Sequence, residues 1–473
     1  MSKLKKDLTV SGLTMIAIGA CIGSGIFITP SKTFEFLPHH GYVLLAWLIG
    51  GIVTYFGAMT FSELGARHPQ AGGVYIFLKE GYGDLAGFLY GWIILLVVNT
   101  GALAALSMGF ADFLGFFGEM SSLTKQIVGI STITILTLIN VIGVKISDMF
   151  AKVFTGLKLV ALLAIILLGL ALYNSADLTH TLNFDFSDKP ENLTSMMLLA
   201  FVGVFWSFGG WHHATYLAGE TKNPQSTIPK AMLLGTMTVT IVYILVILAY
   251  SLLLPMDGII GSDRVAGDAV GNVLANGGKL VAIAITISIF GTIGIYTMTA
   301  PRIYYAMAKD GVFFKSLADL HPRYGTPYKA MIFQGVWASI LIIAFNNFHN
   351  LMTFATFMDI IFMALATSTI FIFRSRKSIK GTEIINCIDT PLDSISSEPN
   401  NIDSNKTSEE KNTSPQYVLK WYPLIPILYL IVTVAFVINV TLGMDKTTLS
   451  GLAILLLGVP VFYFFKRRQE VDS

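Results

Sequence analysis

Charge is what this sequence has least of. Only 13% of its 473 residues are charged, against about 25% in an ordinary soluble domain, and 54% are hydrophobic. So few solvated groups cannot cover a water-facing surface, which excludes a soluble globular enzyme. The formal net charge of +2 is too small for the basic face a nucleic-acid binder needs. Two cysteines, Cys21 and Cys387, make no disulfide framework and read as free thiols. No apolar stretch carries a His-Glu-x-x-His, a paired-aspartate motif or a Ser-His arrangement, which removes the chemistry of an intramembrane enzyme and leaves no metal or cofactor site. Lys3, Lys5 and Lys6 precede the first apolar stretch without a small-residue cleavage site after it, so it reads as an uncleaved span.

In place of these the chain has long hydrophobic runs, and its mean hydropathy is +0.68. Runs near the roughly 20 residues that cross a bilayer predict an all-α polytopic membrane protein with 12 transmembrane helices. They are expected at about 10–31, 41–64, 84–115, 126–143, 151–173, 194–218, 231–254, 278–304, 330–347, 350–373, 421–441 and 448–465. With both termini cytoplasmic, the 31 Lys and Arg residues fall on the cytoplasmic side except Lys32, Lys125, Lys189, Arg264, Lys279, Lys446 and the intramembrane Lys158. That asymmetry is the positive-inside pattern, and it points to the plasma (inner) membrane with both ends inside.

Two of these spans are interrupted by residues that disfavour helix. Span 1 contains Cys21-Ile22-Gly23-Ser24-Gly25-Ile26-Phe27 and span 6 contains Trp206-Ser207-Phe208-Gly209-Gly210-Trp211. Glycine costs about 1 kcal/mol in a helix interior, and irregular backbone at membrane depth persists only where it is buried in protein or lines a cavity. The breaks lie at similar depth in helices five spans apart, so the second is inverted relative to the first. This predicts two inverted five-helix repeats, 1–173 (spans 1–5) and 194–373 (spans 6–10), with a binding site between discontinuous helices 1 and 6. Residues 379–416 are rich in Ser, Asn, Thr, Asp and Glu and read as a disordered cytoplasmic loop; 421–465 holds spans 11 and 12.

A helix broken at the midplane presents two kinds of ends. The outer half of span 1, beginning near Ser24, offers free amides and the positive end of a dipole to a carboxylate. The inner half, ending near Cys21 and Ile22, offers carbonyls to an ammonium, and span 6 adds carbonyls around Trp206 and Gly209. Both poles together suit the α-amino and α-carboxyl groups of an amino acid.

Four further stretches accompany the breaks: Glu63-Leu64-Gly65-Ala66-Arg67-His68-Pro69 with Gly72-Gly73-Val74-Tyr75, Ala218-Gly219-Glu220-Thr221-Lys222-Asn223-Pro224, Pro301-Arg302, and Ala306-Met307-Ala308-Lys309-Asp310-Gly311. In this order the chain resembles the amino acid-polyamine-organocation superfamily, closest to its bacterial L-type amino acid transporters, across spans 1 to 10. The resemblance implies a LeuT-like fold and a secondary amino acid transporter working by alternating access, by exchange or proton coupling. An amine or polyamine permease and a non-transporting amino acid sensor are the alternatives. It implies that the amides of Ser24, Gly25 and Ile26 hold the substrate carboxylate, that the carbonyls of Cys21, Trp206 and Gly209 receive its amine, that Ile22, Gly23, Ser207 and Phe208 complete the substrate-binding stretch, and that Trp206 is the gate.

Asn99 and Thr100 resemble side-chain pocket positions, and they read equally as interhelical hydrogen bonds. A lysine inside a span is costly unless paired or functional, and the resemblance suggests that Lys158 takes the place of the sodium ion of coupled relatives. Asp359 in span 10, and His212 and His213 after the second break, are possible pocket or proton sites. Glu63, Arg67, Glu220, Lys222 and Arg302 are expected to hold an inner gate. Eukaryotic relatives join a glycoprotein through a cysteine between spans 3 and 4. Residues Phe116 to Lys125 contain none, so no disulfide-linked partner is expected.

Overall fold

The computed structural model describes residues 4–37, 39–172, 191–262, 264–344, 348–388, 417–442 and 446–472. Regular structure among them is helical, apart from one isolated bridge pairing Leu8 with Thr221. In order the helices are α1 (Val10–Cys21), α2 (Gly25–Phe36), α3 (His40–Arg67), α4 (Val74–Tyr82), α5 (Asp84–Phe117), α6 (Ser122–Val141), α7 (Val144–Leu172), α8 (Leu193–Phe208), α9 (His213–Tyr216), α10 (Pro224–Leu253), α11 (Met256–Ile260), α12 (Val265–Val273), α13 (Gly277–Lys309), α14 (Tyr328–Ala344), α15 (Phe348–Ile388), α16 (Leu424–Leu442) and α17 (Lys446–Asp472).

Among the described residues, 8 helices (α3, α5, α6, α7, α10, α13, α15 and α16) are long and apolar enough to cross a membrane. The pair α1 and α2, bent by 42°, makes 9 if it is one broken span, and α8 and α14 are shorter apolar helices. The sixth expected span is not one helix: α8 stops at Phe208 and only the single turn α9 follows. Helix α15 continues to Ile388, past the start of the loop expected from 379, and 389–416 lies outside the described residues.

Local chemistry explains the helix starts. Thr9 accepts from Gly12 N at 3.4 Å to cap α1, and His39 Nδ1 accepts from Gly41 N at 3.1 Å ahead of α3. Pro224 opens α10 where no intrahelical donor is required. Sidedness is visible on α7, where Ala151, Thr155, Lys158, Leu162 and Ile165 are buried while Val153, Leu157, Val160, Leu163, Leu167 and Leu170 are exposed. That spacing separates a protein-facing stripe from a lipid-facing one.

Helices α5 and α13 form the centre, with 72% and 61% of their most apolar windows buried, whereas α6 at the periphery has 28%. Packing occurs in mates. Helix α3 lies along α10 and α5 along α13; α1 packs on α10 and α7 as α8 packs on α3 and α15; α7 packs on α13 as α15 packs on α5.

Ion pairs join the ends of several of these helices. Arg302 donates to both Glu220 oxygens, at 2.8 and 2.7 Å, and to Met298 O, with both charged side chains at most 1% exposed. Glu63 accepts from Arg67 at 2.6 Å, Arg374 at 2.6 Å and Leu419 N at 2.7 Å. Lys79 reaches Asp310 at 2.8 Å. The Lys222 side chain, expected in this set, is exposed.

Candidate functional site

At the first break, Ile22-Gly23-Ser24 lies outside both α1 and α2. At the second, Gly209 leaves the helical region after Phe208 and Gly210 takes φ +102°, a left-handed conformation that glycine adopts without steric cost. The two breaks touch each other. A Cβ on Gly25 would lie 2.9 Å from Ser207 Cα, and one on Gly210 would lie 2.8 Å from both carbonyl atoms of Ala20. Tyr243 of α10 clasps the junction, its hydroxyl donating to Cys21 O at 2.9 Å and Ser207 O at 3.0 Å.

The junction has a donor side. The amides of Ser24, Gly25 and Ile26 precede any intrahelical partner and donate to none of the described residues. Ser24 Oγ is buried and has no hydrogen-bond partner either. These groups stand at the positive end of the α2 dipole, an arrangement suited to an anion.

The acceptor side differs from expectation. Cys21 O already receives Gly23 N at 2.9 Å and the Tyr243 hydroxyl, Ile22 O receives Lys158, and Trp206 O receives Gly209 N at 3.2 Å. Two lone pairs per carbonyl leave no vacancy on Cys21, so the expected amine acceptors Cys21, Ile22 and Trp206 are engaged within the protein. The carbonyls of Ala20, Phe205 and Gly209 accept no hydrogen bond from the described residues. Of the expected acceptors, Gly209 O receives no donor from the described residues and Trp206 O receives one, and the Ala20 and Phe205 carbonyls stand open beside them.

Lys158 is 1% exposed. Its ammonium donates to Gly19 O at 2.9 Å, Ile22 O at 2.8 Å and Thr292 Oγ1 at 2.6 Å, so its three donors have three partners. Ser288, one turn before Thr292 on α13, reaches Ile22 O and Gly23 O, each at 3.3 Å. One ammonium and two hydroxyls thus cover the carbonyl end of α1.

Beside the junction is a cavity of about 70 Å³. It is lined by Cys21, Gly23, Ser24 and Gly25 from the first break, Trp206, Phe208, Gly209 and His212 from the second, Asn99 from α5 and Asp359 from α15. Ile22, Ile26, Thr100, Lys158 and Ser207 do not line it. Thr100 turns back to Leu95 O at 2.5 Å in a π-helical turn of α5, and Ser207 Oγ bonds Thr29 Oγ1 at 2.8 Å and Gly203 O at 2.9 Å. His213 lines the cavity and its Nδ1 meets Thr299 Oγ1 at 2.6 Å. His212 Nε2 lies 3.9 Å from Asp359 Oδ1. Among the described residues no group of three or more His, Cys, Asp or Glu is arranged to hold a metal ion.

The sequence reading missed Tyr243, Ser288 and Thr292, although hydroxyls four residues apart on an apolar span are a readable signal for an inward polar stripe.

The profile of the amino acid permease family matches residues 8–462. The chain belongs to that family. It is 31% identical to the serine/threonine exchanger SteT of Bacillus subtilis (strain 168), over 98% of each chain. The human b(0,+)-type amino acid transporter 1 is 29% identical over 80% of this chain and 78% of its own, and the human large neutral amino acids transporter small subunit 2 is 26% identical over 97% and 80%. Family membership makes the chain a multi-pass membrane transporter rather than an enzyme.

Proposed function

We propose that the chain carries amino acids across the membrane by alternating access, binding them in the cavity between the two breaks. The observation that carries this reading is the pairing of unpartnered groups: the Ser24, Gly25 and Ile26 amides with Ser24 Oγ for the α-carboxylate, and the Ala20, Phe205 and Gly209 carbonyls for the α-ammonium. Trp206 closes over the occupied site as the gate. The mated helix packing supports two inverted repeats, spans 1–5 and 6–10, within 12 spans. The distribution of Lys and Arg supports cytoplasmic termini.

Exchange without sodium is the favoured coupling. An ammonium on the carbonyls of Gly19 and Ile22 supplies permanently the positive charge that a cation would bring, and one relative is named a serine/threonine exchanger. With no cysteine between Phe116 and Lys125, the protein works without a disulfide-linked partner. An amine permease is a second reading, favoured by the Asp359 carboxylate on the cavity; such a substrate leaves the amide pole unused.

The test is uptake of labelled amino acids and amines into proteoliposomes, with and without internal substrate, a sodium gradient or a pH gradient. Exchange predicts uptake that requires internal amino acid and ignores sodium. Uptake of amines alone, or sodium-driven accumulation, contradicts the reading.

A further inference from the structure

Two acceptors beside the cavity are not used by the α-amino and α-carboxyl poles. Asp359 lines it with a side chain 17% exposed, and neither of its oxygens accepts a hydrogen bond from a described residue; its neighbour His212 Nε2 stays at 3.9 Å. Asn99 is 2% exposed and its Oδ1 is buried without a partner. The orientation of that amide follows from the network. Gln334 Nε2 donates to Tyr296 O at 3.2 Å, which turns Gln334 Oε1 toward Asn99, and Asn99 must offer it Nδ2, at 3.1 Å.

Buried acceptors without donors are costly. A substrate side chain that shuts the carboxylate off from water without replacing the hydrogen bonds water would give it loses affinity. An apolar substrate side chain would leave Asp359 unpaired, whereas one carrying a donor would pair it. Space limits the length of that side chain. At about 70 Å³ the cavity is small beside the roughly 150 Å³ that admits benzene, which favours a short side chain.

We propose that Asp359, backed by Asn99, forms a side-chain subsite that selects amino acids whose short side chain ends in a hydrogen-bond donor, a hydroxyl or an ammonium. This rests on the reading of the cavity as an amino acid site.

The test is equilibrium competition on the purified full-length protein with matched pairs: L-serine against L-alanine, L-threonine against L-2-aminobutyrate, and L-2,3-diaminopropionate against L-alanine. The donor member of at least one pair binds about tenfold or more tighter; the serine and diaminopropionate arms tell hydroxyl from ammonium. Asp359→Leu lowers that ratio to about two or less. Asp359→Asn, which keeps the shape and one acceptor but loses the charge, gives an intermediate ratio and serves if the leucine variant does not fold. Ratios near one in the native protein overturn the subsite while leaving the amino acid site standing, and so do ratios unchanged in both variants. Failure of every compound, alanine included, overturns the amino acid reading and the subsite together.

Discussion

Replacing Gly25 or Gly210 with alanine tests whether the two breaks are in contact. An added Cβ at Gly25 would sit 2.7 Å from Ser207 Oγ and 2.9 Å from Ser207 Cα; at Gly210 it would sit 2.8 Å from Ala20 C and O. Backbone atoms cannot rotate away as a side chain does, so one broken helix must move. Overpacking of this kind costs about 1–3 kcal/mol. Gly210 adds a φ of +102°, disfavoured for alanine by about 1–3 kcal/mol. Gly25→Ala is therefore expected to cost about 1–3 kcal/mol and Gly210→Ala about 2–6 kcal/mol. The helices can relieve the clash by parting, and the loss then appears in substrate affinity, about tenfold for each 1.4 kcal/mol. Gly156→Ala is the control, since a Cβ there meets nothing within 4 Å and a helix-interior alanine gains about 1 kcal/mol. The assay is substrate affinity and thermal stability of the three purified variants. Native affinity and melting temperature in both Gly25→Ala and Gly210→Ala would refute the contact.

Three further outcomes follow from named contacts. Lys158→Ala removes the donors on Gly19 O and Ile22 O and is expected to abolish transport by protein still inserted in the membrane; normal transport by this variant sinks the cation-substitute role. Glu220→Gln leaves the buried Arg302 charge without its bidentate partner, a loss of about 3–5 kcal/mol that the double variant Glu220→Leu with Arg302→Met restores in large part, read by thermal unfolding. Cys21 lines the cavity, so a small maleimide that reaches it blocks uptake and saturating substrate slows the modification; equal rates with and without substrate place the substrate elsewhere.

The breaks were legible because glycine and serine inside an apolar run oppose helix, and the structure interrupts the chain at Ile22-Gly23-Ser24 and after Phe208. Lys158 was legible because a charge in a span requires a partner. Which carbonyls remain open was not legible. Cys21 O is claimed by Tyr243, 222 positions away, and Ile22 O by Lys158, 136 away, and such assignments depend on how helices pack. Asp359 was legible only as a possible pocket or proton site, because a helix apolar on nearly all sides carries no amphipathic signal to fix its rotation; the structure puts it on the cavity lining. Thr100 erred for a local reason: the π-helical turn at Ile94–Val98 shifts the face presented after it, so Asn99 lines the cavity and Thr100 folds back on its own helix.

Chemical blocking of each pole of the substrate tests the central claim most directly. For any amino acid that the protein exchanges in proteoliposomes, the methyl ester and the N-acetyl derivative are assayed as competitors beside the parent. The account predicts that each derivative loses about a hundredfold or more in affinity, because the Ser24, Gly25 and Ile26 amides lose their anion and the Ala20, Phe205 and Gly209 carbonyls lose their cation. Derivatives that compete as well as the parent would contradict it.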